Sequence, residues 1–126
     1  MVKCYAGQLN QVFMNILANG IDALEESNRD KSYKQIEASP NCITISTEVD
    51  ATGKSAIIRI QDNGMGMSDE VKNRIFDHLF TTKAVGKGTG LGMAISRQIV
   101  VEKHKGSLEV NSKLGDGAEF VIKIPV

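Results

Sequence analysis

Apolar residues return at helical spacing near the start of the chain: Leu9, Val12, Phe13, Ile16, Leu17, Ile21 and Leu24. Steps of three and four put them on one stripe and predict an amphipathic helix from Gln8 to about Glu26. Residues 27–41 turn polar and close on Pro40-Asn41, which predicts a loop. The pattern then changes to a period of two. Ile43 to Val49 alternates as a strand, Asp50-Ala-Thr-Gly53 is a turn signal, and Ala56 to Ile60 is the returning strand of a hairpin. A glycine-containing loop follows from Asp62 to Met67. Ser68 is placed as an N-cap, with Asp69 and Glu70 favourable in the first turn of a helix running to about Asp77.

Leu79 to Gly92 is dense in Gly, Thr and Lys and reads as a long loop. A helix is predicted from about Leu91 to His104, stopped by Gly106 at the C′ position. Ser107–Asn111 and Ala118–Ile124 make a last hairpin around Leu114-Gly-Asp-Gly117. Strands in adjacent pairs with helices between them predict an α+β fold. The expected form is a two-layer α/β sandwich with helices on one face of a mixed, largely antiparallel sheet. No internal repeat is present.

Composition narrows the function more than the fold. The 126 residues suit one domain and can bury a core without disulfides or a structural metal. Fifteen basic and fifteen acidic residues balance, so no global charge favours nucleic acid or an anionic membrane. Any phosphate binding has to come from local geometry. Cys4 and Cys42 form no CxxC and sit in no His cluster, as expected for reduced thiols in a cytosolic protein. No apolar run approaches the ~18–20 residues of a membrane span.

Three groups of residues carry candidate chemistry. Asn15, Asn19 and Asp22 stand at i, i+4 and i+7 and fall within a narrow arc of the first helix, largely away from its apolar stripe. An amide oxygen is a hard, neutral ligand suited to Mg2+. Alone, the arc also fits a solvated face, but asparagine is a poor helix former and two of them mid-helix need a reason. Asp62-Asn-Gly-Met-Gly66 follows a strand. Its carboxylate is suited to accept hydrogen bonds from an adenine amino group, and its glycines let the backbone approach a ligand closely. Alone it also fits a tight turn. Gly86-Lys-Gly-Thr-Gly-Leu-Gly92 puts a glycine at every second position before a helix, which suits backbone N–H groups wrapping phosphate. A flexible linker is the plain alternative. The dinucleotide fingerprint fits badly, since the third glycine position falls on Met93 and no strand precedes the loop; GxxxxGK[ST] is absent.

Taken in order, these blocks resemble the GHKL ATP-binding superfamily, and within it the sensor histidine kinases. The asparagine helix looks like the N box and Asp62 to Gly66 like the G1 box. Ile75 to Lys83 looks like the F box and Gly86 to Met93 like the G2 box. The ending Gly106…Gly115-x-Gly117-x-x-Phe120…Ile124-Pro125 also matches. The resemblance spans nearly the whole chain and implies the Bergerat ATP-binding fold, with ATP and Mg2+ as cofactors. By position, Asp62 would read the adenine amino group beside Gly64 and Gly66. Asn19 would hold Mg2+, with Asn15 and Asp22 near phosphates and ribose. Residues 81–92 would be the ATP lid, bringing Phe80, Thr81, Thr82, Lys83, Lys87, Gly88, Thr89, Gly90, Leu91 and Gly92 to the nucleotide. Asn15, Asn19 and Lys83 would form the catalytic set.

Several departures matter. Gly20 stands where Ala is usual, His78-Leu79 replaces Pro-Phe, and Ala118 stands where Thr generally helps contact the adenine. ATP-hydrolysing relatives such as DNA gyrase carry Glu at the place of Asn15, and an amide cannot take a proton from water. The resemblance is therefore to the kinases. It implies transfer of the γ-phosphoryl to a histidine on a separate dimerisation domain, a downstream response regulator, and a cytoplasmic location even if the intact protein is membrane-anchored. Neither His78 nor His104 sits in a phosphoacceptor box, and both are read as structural or surface residues. The family's first strand is missing or reduced to Val2–Tyr5, so residues 1–126 read as a fragment holding this domain alone. A serine-kinase type of the same superfamily and a nucleotide sensor without transfer are the alternatives.

Overall fold

The computed structural model describes residues 4–29, 32–38, 40–77 and 92–126. The first apolar stripe becomes α1, Ala6–Asn28, with Leu9, Val12, Ile16, Gly20 and Leu24 buried. Phe13 and Leu17 pack beside them. Ile21 departs from the expected stripe and is 50% exposed, because the buried line runs through Gly20 instead. The polar stretch expected as a loop holds a short helix, α2, Tyr33–Ala38. Its start is a reciprocal capping box: Gln35 N–H donates to Ser32 Oγ at 3.2 Å, and Ser32 N–H donates to Gln35 Oε1 at 2.9 Å.

The two expected hairpins form. β1, Ile43–Val49, pairs with β2, Ser55–Asp62. Asp50 ties their turn by accepting from Thr52 Oγ1 at 2.9 Å and from the Lys54 N–H at 3.0 Å. β2 runs two residues further than its alternation suggests, so Asp62 is the last residue of the strand and not part of the loop. α3, Asp69–Arg74, is capped by Ser68 as expected, its Oγ accepting from the Val71 N–H at 3.3 Å. It ends earlier than Asp77, in a turn closed by the Asp77 N–H on the Arg74 carbonyl at 2.9 Å.

α4, Gly92–Gln98, continues into a π-helical turn, Ile99–Lys103. The stop signal works differently from the sequence reading. Lys105 is the left-handed residue (φ 57°), and the Gly106 N–H reaches back to the Val100 carbonyl at 2.9 Å. With His104 as the C-cap, Lys105 is the C′ position and Gly106 the residue after it, and the bond reaches one residue further back than in an α-helical ending because the last turn is π-helical. Gly106 is needed because a Cβ there would run into the Lys123 carbonyl of the neighbouring strand. His104, the residue before this turn, is buried as expected of a structural histidine. Its Nδ1–H donates to the Ile99 carbonyl at 2.9 Å, and its Nε2 accepts the Tyr5 N–H at 2.9 Å. The two rings meet edge to face at 5.5 Å.

β3, Ser107–Ser112, and β4, Ala118–Pro125, complete a sheet of order β1-β2-β4-β3 in which every described pairing is antiparallel. The helices cover one face. Ile60 of β2, Leu108 of β3 and Phe120, Ile122 and Ile124 of β4 meet Val12 and Ile16 of α1 and Val100 there. The other face is polar, with Arg59 bridging Glu48 at 3.1 Å and Glu119 at 3.8 Å. Such exposed pairs contribute about 0–1 kcal/mol, so the core side carries the stability. β1 lies at the edge, with Ile45 and Val49 still 55% and 63% exposed. Of Val2–Tyr5, residues 4 and 5 are irregular and the rest lie outside the described residues.

Gly20 is a helix-interior glycine with room to spare. A Cβ there would meet Asp62 Oδ2 and Ile43 Cδ1 at 3.6 Å, ordinary van der Waals contact. Gly20→Ala is therefore expected to stabilise the domain by roughly 0.5–1 kcal/mol through helix propensity. Urea unfolding reads this directly, and a loss of stability would mean that α1 cannot bear a methyl against Asp62.

Candidate functional site

The site is built where β2 ends. Asp62 is in register with Ile43 of β1 and Ala118 of β4, on the same face as Ile60, so its carboxylate points toward the helices. It is 8% exposed. Asp62 Oδ1 accepts the Gly64 N–H at 2.9 Å, a local turn made by the side chain over its own loop. Burial pushes its pKa above the ordinary value of 3.8, against the N–H groups of Gly64 and Ala118, which favour the charged form.

Two glycines make this corner possible. Gly66 (φ 74°) and Gly117 (φ 78°) take left-handed backbone. A side chain at Gly66 would collide with the Lys113 carbonyl, and one at Gly117 with the Asp62 carbonyl. Gly64 is pressed less hard but still tightly, with the Ala23 backbone 3.0 Å from where its Cβ would stand. Asn63 fastens the loop on its outer side. Its Oδ1 accepts the Cys42 N–H at 2.8 Å, and its Nδ2 donates to the Pro40 carbonyl at 3.0 Å. The two variable positions of the DxGxG motif each face something: Asn63 the start of β1, Met65 the cavity.

A cavity of about 540 Å³ opens above Asp62. α1 lines it with Asn19, Asp22, Ala23, Glu25 and Glu26, and Arg29 follows at the helix end. Met65, Gly66 and Met67 make the loop wall, Val71 and Ile75 the side next to α3, and Ala118 the floor beside Asp62. The shape suits a flat aromatic ligand with one polar edge: an apolar wall, a single buried acceptor, and amide and carboxylate groups along one helix. Of the predicted residues, Asn19, Asp22, Asp62 and Gly66 are brought together here. Ala23, Met67, Val71 and Ile75 were not singled out in the sequence, because apolar lining looks the same as apolar core. Both cysteines are exposed and free.

Asn15 stands apart from its two partners on the arc. Its Nδ2 donates to the Gly92 carbonyl and to Ser96 Oγ, each at 3.2 Å, and Ser96 Oγ–H donates to the Gly92 carbonyl at 2.8 Å. Both amide protons are thus used to hold the first turn of α4, which leaves Oδ1 as the group free to accept. Ser96 is fully buried and was missed in the sequence; a serine four residues after Gly92 inside a helix is the available sign. A Cβ built on Gly92 would stand 3.7 Å from Asn15 Cγ, so the start of α4 lies directly against this amide. Phe80, Thr81, Thr82, Lys83, Lys87, Gly88, Thr89, Gly90 and Leu91, together with His78, lie outside the described residues.

Comparison with known proteins gives a consistent picture. Residues 5–126 match the family described as histidine kinase-, DNA gyrase B-, and HSP90-like ATPase. The chain is 34% identical to sporulation kinase D of Bacillus subtilis (strain 168) over 126 residues, all of this chain and 21% of that protein. It is 39% identical to the signal transduction histidine-protein kinase AtoS of Escherichia coli (strain K12) over 118 residues, 94% of this chain and 17% of the relative. The chain thus spans about a fifth of the length of these curated relatives. Among solved structures, the catalytic domain of histidine kinase ThkA superposes with a TM-score of 0.75 at 27% identity, covering 98% of this chain and 71% of that one.

The raised pKa of Asp62 has a consequence for stability. The folded state holds this proton more tightly than the unfolded chain, so the buried charge costs stability above the folded pKa and nothing below the ordinary value of 3.8. An uncharged Asp62→Asn variant lacks that pH dependence. Its stability relative to the unaltered protein is expected to rise as pH climbs from about 4 through the raised pKa, and then to level off. Chemical denaturation at a series of pH values measures the difference. A flat or falling difference would mean that the carboxylate is not desolvated.

Proposed function

The chain belongs to the histidine kinase-, DNA gyrase B-, and HSP90-like ATPase family, and from that premise we propose that it holds Mg-ATP in the cavity above Asp62 and passes the γ-phosphoryl group to a histidine on a separate dimerisation domain. The family binds ATP, and the chain is a catalytic ATPase domain of the two-component sensor histidine kinase type, with the α+β fold of that class. We read residues 1–126 as one such domain.

The observation that carries the nucleotide assignment is a buried, acceptor-only carboxylate in the wall of a cavity large enough for a base. Adenine offers an amino group at its polar edge, whereas guanine offers an oxygen at the same place. Asp62 accepts from the first and repels the second. Ala23, Met67 and Ile75 supply apolar surface for the ring faces. Farther along α1, Asn19 suits the metal, and Asp22 lines the same cavity on the side read for phosphates and ribose. Among the described residues no cluster of three His, Cys, Asp or Glu side chains could hold an ion by itself. One amide oxygen fits Mg2+, which keeps several waters and takes its other ligands from phosphate oxygens. Bound there, the ion would neutralise charge on the transferring phosphoryl group.

Asn15 supports transfer over hydrolysis. Its amide has no proton-accepting nitrogen, and its N–H groups are already committed to Gly92 and Ser96. Phosphoryl transfer needs little covalent work from the protein beyond positioning and charge balance, so the nucleophile is left to the acceptor histidine. Lys83 and Lys87 would add phosphate contacts. The partners on this reading are the dimerisation domain and a response regulator, at a cytoplasmic site. Among the described residues no helix is long and apolar enough to cross a membrane. A second reading, ATP sensing without transfer, draws on Ala118, which brings a methyl and no hydroxyl to the floor beside Asp62.

Asp62→Ala is expected to weaken ATP binding in calorimetry by about 1.5–3 kcal/mol, the contribution of a hydrogen bond to a charged group. Binding at unchanged affinity would sink the base assignment. Asn19→Ala should remove the strengthening of ATP binding by Mg2+; if metal still helps equally, the ligand lies elsewhere. Incubation with ATP and an added dimerisation domain should yield an acid-labile phosphoprotein, and binding without transfer would favour the sensor reading.

A further inference from the structure

The loop wall of the cavity, Met65 to Met67, belongs to no helix or strand. The β3–β4 hairpin holds it in place from behind. The Gly115 N–H donates to the Met65 carbonyl at 2.7 Å. Ser112, the last residue of β3, makes the remaining tie with its side chain. Its Oγ accepts the Met67 N–H at 2.8 Å and donates to the Gly117 carbonyl at 2.6 Å. Lys72 of α3 donates from Nζ to the Ser112 carbonyl at 3.2 Å. A hydroxyl has one proton and two lone pairs. Here the proton is on Gly117 and a lone pair holds Met67, so the rotor is fixed from both sides.

We propose that Ser112 is a positioning residue for the nucleotide base: its hydroxyl sets the separation between the Met65–Met67 wall and the Gly117–Ala118 floor, and so the width of the slot beside Asp62. Ser112 does not line the cavity, but both segments that it bridges do, through Met67 and Ala118. No other side chain reaches both among the hydrogen bonds of the described residues. Without the hydroxyl, the Met67 N–H and the Gly117 carbonyl lose this shared partner, and of these ties the Gly115 N–H on Met65 alone still holds the wall to the hairpin, leaving the Met67 end loose beside Ala118. The inference rests on the ATP reading above.

The test is calorimetric titration with ATP at a temperature where every variant is fully folded. Ser112→Ala is expected to weaken ATP binding about tenfold, the equivalent of one well-placed hydrogen bond. Ser112→Thr keeps the hydroxyl on a residue suited to a strand and should restore affinity to within about threefold. Ile122→Val thins the core beneath the sheet and lowers the melting temperature, yet should leave ATP affinity unchanged. Ser112→Ala binding as tightly as the unaltered protein would overturn the proposal, and so would failure of Ser112→Thr to rescue. Equal weakening by Ile122→Val would also overturn it, since general loosening would then explain the loss. If the unaltered protein binds no ATP, the nucleotide reading falls and takes this inference with it; if it does bind, these variants judge Ser112 alone.

Discussion

A carboxylate buried on the core side of a sheet constrains everything packed around it. Asp62 ends the row Ala56, Ile58, Ile60 on β2, and its burial disfavours the charged form. The fold accommodates it by bringing backbone unusually near. α1 crosses at Gly20 and Ala23, β4 enters with Gly117 flush on the Asp62 carbonyl, and Gly64 folds back to donate its N–H. The approaches at Gly64 and Gly117 use a missing side chain, whereas Gly20 leaves room for a methyl. The result is a deep acceptor with room in front of it, which is the chemical content of the site. A larger side chain at Gly66 or Gly117 would move the wall or the strand as well as crowd the cavity.

Much of this was legible because two periodicities coexist in the chain. The three-and-four spacing of Leu9 to Leu24 and the alternation of β1 and β4 located the layers, and Ser68 announced α3 by ordinary capping chemistry. Other features were hidden by having more than one use. Ile21 fits a helical stripe as well as Gly20 does, and only the crossing of α1 over Asp62 decides between them. Ser32 and Gln35 carry a capping box, masked by the polar stretch around them. The π-helical turn has no sequence signature, and it moved the left-handed residue from Gly106 to Lys105.

The candidate site was legible in its polar part only. Asp62, Asn19 and Asp22 stood out because carboxylates and amides at those places need a reason. Asn15 stood out equally, yet its amide protons serve the start of α4, so one arc of a helix divides between cavity and scaffold. The supporting serines, Ser96 and Ser112, were silent because an isolated serine in a strand or helix has no distinguishing pattern. Their importance comes from contacts between residues 81 and 45 positions apart in the chain.

The clasp between Tyr5 and His104 also bears on how the domain responds to mechanical load. The backbone N–H that precedes α1 is fastened to the residue that closes the helical run begun at Gly92, and the other end of that run is gripped by Asn15 of α1. The run from Gly92 is therefore tied at both of its ends to α1, once at the start of α1 and once near its middle, like two rungs joining the stiles of a ladder. A tug on the chain before Tyr5 is shared between both helices and reaches Gly92 as a shift of the whole frame, with little bending of either member.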